Sequence, residues 1–179
     1  MIRKSLFIAA LAVAMTTMAA AAPKEVSQQA VERIQREVRH EILMLPYFDV
    51  FDNITFKVEG YDVTLAGQVV RLTLKTDAER VVKGIEGVEK VDNQIEVLPV
   101  SPNDDRLRIR TFRAIYGYSA LQRYALPVIK PIRIIVKNGH ITLEGVVDSE
   151  ADKNLVNMRA RGVPGSFSVI NNLTVPASK

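Results

Sequence analysis

The chain states one stretch of itself twice, and that repetition limits its fold more than any other feature. Val58-Glu-Gly-Tyr-Asp-Val-Thr-Leu-Ala-Gly-Gln-Val69 aligns without a gap on Val136-Lys-Asn-Gly-His-Ile-Thr-Leu-Glu-Gly-Val-Val147. A constant offset of 78 residues carries the alignment onward, pairing Lys75 with Lys153, Gly84 with Gly162, Gly87 with Gly165, Val91 with Val169, Asn93 with Asn171 and Val97 with Val175. In a chain of 179 residues such a repeat selects two small domains of one architecture. Each can bury only a modest core, and the absence of cysteine removes disulfides and thiolate metal sites as further support. Contact between the repeats, or in a homo-oligomer, is the remaining source of stability.

Hydrophobic spacing gives the elements of each copy. Val31, Ile34, Val38, Ile42 and Leu45 recur at three and four, the stripe of an amphipathic helix that Ser27 can cap and Pro46 stops. The aromatics of residues 47–53 are expected to plug the end of the core. Ile54, Phe56 and Val58 alternate with polar residues, Gly60-Tyr61 turns the chain, and Val63, Leu65, Gly67 and Val69 form a second strand. Gly67 falls on the inward parity, where a close helix crossing would require it. A helix over about 73–83 buries Leu74, Ala78, Val81, Val82 and Ile85, with Gly84 as its C-terminal cap and Gly87 in the turn that follows. A last strand carries Val91, Ile95 and Val97, and Asn93, of the same parity, is expected to bond neighbouring backbone.

The two prolines of residues 98–103 read as a stiff linker. The second copy then opens on a helix capped by Asn103 or Asp104, with Ile109, Phe112, Ile115 or Tyr116, and Ala120 inward. Asn138-Gly139 marks a tight hairpin, Gly145 repeats the inward glycine, and Ser149 with Asp152 opens a second helix. Gly162, Gly165 and a strand holding Asn171 complete the plan. The expected fold is α+β, a tandem repeat of two α-β-β-α-β units, each with two helices on one face of a three-stranded sheet. The units span residues 25–98 and 104–176, joined by a linker at 99–103.

The N-terminus reads as an export signal over residues 1–21. Arg3 and Lys4 precede an uncharged apolar run, and Ala19-Ala20-Ala21-Ala22 supplies the small residues of a cleavage site. The run is short for a membrane span, so the mature protein is expected in the periplasm without a transmembrane segment. Charge divides between the copies. Residues 22–100 hold 10 basic and 14 acidic side chains, whereas residues 101–179 hold 12 basic and 6 acidic. The second repeat thus offers a basic surface to an anionic partner.

Together, Val63-Thr-Leu-Ala-Gly67, Gly84-Ile-Glu-Gly-Val88 and Val91-Asp-Asn93, matched by Ile141-Thr-Leu-Glu-Gly145, Gly162-Val-Pro-Gly165 and Val169-Ile-Asn171, carry a resemblance. The chain resembles the BON (bacterial OsmY and nodulation) domain family over both repeats. Ser166 stands where the first copy has Val88, and Phe167 follows it. The resemblance implies a non-catalytic module of exported proteins that meets lipid or membrane surfaces in envelope maintenance or the response to osmotic stress.

The residues themselves give catalysis little to stand on. His40 and His140 lie apart, no cofactor motif is present, and the glycine pairs follow helices instead of opening them, which misplaces them for cradling phosphate. Arginines from Arg106 to Arg113 beside Tyr116, Tyr118 and Tyr124 have the mixture that stacks bases, but export and the acidic first repeat argue against nucleic acid. Arg106, Arg108, Arg110, Arg113, Tyr116 and Tyr118 are therefore expected to form a patch for an anionic phospholipid surface. The alternative is a chaperone-like or protein-interaction module for envelope proteins, built on the edges of the sheets.

Overall fold

The structure, a computed structural model, describes residues 27–177; the expected export signal lies outside the described residues. The first repeat runs α1 (Gln28–Leu43), β1 (Asn53–Glu59), β2 (Asp62–Val69), α2 (Leu72–Lys83), β3 (Lys90–Asn93) and β4 (Glu96–Val97). The second runs α3 (Pro102–Tyr116), a 3-10 turn at Ser119–Ala125, β5 (Ile132–Lys137), β6 (His140–Gly145), α4 (Glu150–Arg161) and β7 (Ser168–Asn171). This is the expected doubled α-β-β-α-β plan. In each sheet the second strand is central, antiparallel to the first and parallel to the last.

Two cores result. Ile34, Val38, Ile42, Val63, Leu65, Leu74, Ala78 and Val82 fill one, while Ile115, Leu121, Ile132, Ile141, Leu143, Val156 and Ala160 fill the other. Asn93 ends β3 by turning its side chain inward. Its Nδ2 donates to the Lys75 carbonyl at 2.9 Å and its Oδ1 accepts from the Ile95 N–H at 3.2 Å. Asn171 makes the equivalent pair with Lys153 at 3.0 Å and Leu173 at 3.2 Å. The last strand of the first repeat is two short pieces, β3 and β4, and between them the Ile95 N–H bonds the Asn93 side chain.

The inward glycines occupy like places for a reason other than the expected helix crossing. Gly67 has φ +114°, and a Cβ there would lie 2.0 Å from the Asn53 carbonyl oxygen; Gly145 has φ +116°, with the Pro131 oxygen at the same distance. Asn53 and Pro131 are themselves one repeat apart, so the neighbouring strand's backbone excludes a side chain in both copies. Gly84 and Gly162 cap their helices at φ −78° and −75°, a conformation open to any residue, whereas Gly87 and Gly165 at +89° and +91° use the left-handed region.

Other local readings shift. The Ser27 side chain makes no cap bond. Ser101, rather than Asn103 or Asp104, caps α3 by accepting from the Asp104 N–H at 3.2 Å, and Pro102 occupies the first turn, within the stretch read as linker. The inward stripe of α3 is accordingly Leu107, Thr111 and Ile115, which leaves Ile109 46% exposed and Ala120 on the surface. The aromatics of 47–53 do not act together. Tyr47 is exposed under Arg71, Phe48 joins the first core, and Phe51 packs edge-on against Phe112 of α3.

Candidate functional site

Pairing between β5 and β6 runs from Lys137 and His140 at the turn to Ile132 and Gly145. Alternation along an antiparallel ladder leaves the backbone groups of Ile132, Ile134 and Val136 facing away from β6. All three residues are fully buried, and four of their six outward groups have partners. The Tyr116 hydroxyl donates to the Ile132 carbonyl at 2.6 Å and accepts from the Ile132 N–H at 3.2 Å. The Ile134 N–H donates to the Val50 carbonyl at 2.9 Å. Arg108 Nη2 donates to the Val136 carbonyl at 2.8 Å. Burial pushes the Tyr116 phenol well above its usual range, so it remains a donor at every ordinary pH.

Those bonds divide the six residues expected to form a patch. Arg108 and Tyr116 are buried and close the sheet edge, because their positions on α3 face β5. Arg106, Arg110 and Arg113 recur at four and three along the opposite face and stay exposed. Tyr118 lies just beyond the helix with the Arg159 guanidinium 4.6 Å from its ring centroid. Arg159 Nε also donates to the Ala114 carbonyl at 3.0 Å, which fixes the end of α4 against α3. Among the described residues, Arg106, Arg110, Arg113, Arg159 and Arg161 form no ion pair with a carboxylate. In the helices of the first repeat Arg33 pairs with Glu37, Arg80 with Asp77 and Lys83 with Glu79, while Arg36 and Arg39 of α1 form no ion pair among the described residues. From Arg106 to Val147 the chain carries eight basic residues and one acid, Glu144.

An exposed aromatic completes this face. Phe167 is 79% exposed and lies on the hairpin turn, where a Cβ on Gly139 would come 2.6 Å from its ring. The turn itself, with Asn138 and Gly139 at φ 51° and 79°, is held by buried Asp104, whose carboxylate accepts both N–H groups at 2.8 Å. Arg110 donates to the Pro164 carbonyl, the residue before Gly165, at 3.4 Å. Between these parts lies a cleft of about 430 Å³ lined by Arg106, Leu107, Arg110, Gly139, Gly165 and Phe167. Sequence reading did not assign Phe167 a role. The available signal was that the repeat places it against Glu89, an acid exchanged for an exposed aromatic.

Among the described residues there is no group of three or more histidines or carboxylates able to hold a metal ion, and no helix long and apolar enough to cross a membrane. His40 and His140 are both exposed, the latter sharing a 2.7 Å hydrogen bond with Ser168 Oγ. The chemistry of the arginine face is recognition of negative charge beside an apolar contact.

No curated protein matches the chain. Among solved structures, CdsD, a structural protein of the type III secretion system of Chlamydia trachomatis, matches at 14% identity over 81% of this chain and 94% of that one, with a TM-score of 0.29. The C-terminal domain of CdsD matches at 12% identity over 79% and 96%, with a TM-score of 0.28. The BON domain model matches twice, over residues 30–99 and 119–177. The second match begins after α3, so the arginine helix lies outside it. Both sheets and three of the four helices fall within the matched stretches, and the chain belongs to the BON-domain family, whose modules are non-catalytic.

Proposed function

We propose that this is an exported periplasmic protein that rests on anionic phospholipid surfaces through its second repeat, in envelope maintenance or the response to osmotic stress. The observation that carries the reading is the face of α3 and the adjoining end of α4, where Arg106, Arg110, Arg113 and Arg159 meet no carboxylate among the described residues and exposed Phe167 lies beside Arg106 and Arg110. Each basic side chain near an anionic bilayer contributes about 1 kcal/mol, so four contribute about 4 kcal/mol and give an affinity of about 1 mM. Insertion of the Phe167 ring adds about 1.5–3 kcal/mol. Such binding is peripheral, reversible and weakened by salt.

Sedimentation of the whole protein with phosphatidylglycerol vesicles tests this. Arg106→Glu, Arg110→Glu and Arg113→Glu together should weaken binding about a hundredfold or more, and Phe167→Ser should weaken it by a smaller factor. Equal affinity for phosphatidylcholine vesicles, or an unaffected triple variant, overturns the proposal. Suppression of an envelope protein's aggregation that survives the triple reversal and needs no lipid supports the alternative, a chaperone-like interaction module.

A further inference from the structure

The outer edges of the two sheets have opposite fates. On β5, Tyr116, Val50 and Arg108 take up four of the six outward backbone groups of Ile132, Ile134 and Val136. The equivalent residues one repeat earlier are Ile54, Phe56 and Val58 on β1, and among the described residues β1 pairs with β2 alone. Among the described residues, nothing hydrogen-bonds their outward groups, and all three are only half-buried.

The first helix of each copy explains the difference. Arg33 Nη2 donates to the Glu86 carbonyl at 2.8 Å just as Arg110 donates to Pro164, which sets α1 against α3 at an offset of 77. In that register Val31 replaces Arg108 and Arg39 replaces Tyr116. Neither reaches the β1 backbone; Arg39 instead lies over the Phe56 ring, 5.9 Å from its centroid. The remaining cover on β5 is the turn Asp49-Val50-Phe51, closed by the Asp52 N–H on the Asp49 carbonyl at 3.2 Å, and no described segment takes the corresponding place on β1. What remains there is an open groove of about 750 Å³ between α1 and β1, with Ile54, Phe56 and Val58 on its floor and Arg36, Arg39, Lys57 and one acid, Glu32, around it.

We propose that β1 is an acceptor edge for an extended segment of a partner polypeptide in which apolar residues alternate with carboxylates. The backbone of such a segment would pair with the free groups of Phe56 and Val58, as Val50 pairs with Ile134. Its apolar side chains would cover the floor, and its carboxylates would meet Arg36 and Arg39, which form no ion pair among the described residues. A second copy of the chain is the poorer occupant, since two-fold pairing of β1 with itself would bring like arginines together. A bilayer is poorer still, having no row of donors and acceptors at strand spacing.

The site is distinct from the arginine face of the second repeat, and its test is independent of lipid. The whole protein, isotope-labelled, is titrated with an acetylated, amidated Val-Asp-Phe-Asp-Val peptide and followed by NMR. Expected are shifts confined to β1 and the Arg36–Arg39 turn, with slowed exchange of the Phe56 and Val58 amide protons. Arg36→Glu with Arg39→Glu, both on the solvent side of α1, should weaken binding about tenfold or more, and so should replacing the aspartates of the peptide with lysines. Absence of shifts at millimolar peptide, shifts on α3 instead, equal binding of the lysine peptide, or self-association through β1 without peptide would each overturn the assignment. The same β1 shifts produced by phosphatidylglycerol vesicles alone would overturn it in favour of lipid.

Discussion

Arg108 and Val136 are joined by a 2.8 Å bond from guanidinium to carbonyl that closes one end of the second sheet's outer edge. The Arg108 side chain is 4% exposed, and its other contact is the exposed carboxylate of Asp105. Its role is therefore structural, and it separates from its neighbours by experiment. Arg108→Ala leaves a buried carbonyl without a donor and should cost about 1–3 kcal/mol in urea unfolding. Arg108→Met should cost less, since Arg108 Nε is already buried without a partner and the apolar stem is retained. Arg106→Ala and Arg113→Ala should stay within about 0.5 kcal/mol of the parent. Vesicle affinity should show the reverse order, falling for Arg106 and Arg113 and holding for folded Arg108→Met.

The glycines separate by backbone conformation. Gly67→Ala and Gly145→Ala each force a methyl group into a carbonyl oxygen 2.0 Å away at a positive φ, so each should cost about 2–4 kcal/mol. Gly165→Ala has space, its nearest neighbour being an Arg110 nitrogen at 3.7 Å, and bears only the conformational cost of about 1–2 kcal/mol. Gly162→Ala, at φ −75° with nothing nearer than 3.6 Å, should be neutral or stabilising by up to about 1 kcal/mol. Chemical denaturation of the four variants checks the order, and equal losses at Gly162 and Gly145 would contradict it.

Periodicity made the elements legible. The helix stripe from Val31 to Leu45 and the alternation from Ile54 to Val69 each have one period and one buried face, so local pattern and tertiary structure agree. Duplication made the like placement of Gly67 and Gly145 legible too, though not its cause, because a clash with a neighbouring carbonyl depends on strand register. The arginine face was half legible. Charge and spacing identify basic residues on α3, but which of them turn inward depends on unpaired backbone groups across the sheet, and those leave no mark on the sequence of the helix. Val50 was illegible for the same reason, since its partner Ile134 lies 84 residues away in the other repeat.

That contact should couple the repeats. Val50 belongs to the connection in the first repeat but is buried in the second core, where its carbonyl accepts from Ile134. Beside it, Arg133 donates to the Asp49 carbonyl at 2.6 Å and lies 4.6 Å from the Phe48 ring centroid. The parent should unfold in one calorimetric transition. Val50→Ala should cost about 1–3 kcal/mol, and combined with Phe51→Ala it should split the transition into two. A single unchanged transition in the double variant would show that the connection does not carry the coupling.

Two buried aspartates should give stability opposite dependences on pH. Burial alone would raise the Asp152 pKa, but Ser149 at 2.7 Å, Tyr124 at 2.9 Å and Arg123 all donate to its carboxylate, and the result lies below the ordinary 3.8. The native state then binds that proton more weakly than the unfolded chain. The stabilisation is complete above about pH 3.8 and is lost as pH falls through the folded value. Asp52 is the converse. Burial raises its pKa above 3.8 despite N–H donors from Val70 at 2.8 Å and Asp49 at 3.1 Å, so the native state holds the proton more tightly and stability falls as pH rises through the folded value. Urea midpoints measured across acid pH should show the advantage of the parent over Asp152→Asn shrinking towards low pH. Its advantage over Asp52→Asn should grow over the same range, because protonation relieves the buried charge that the amide never carries.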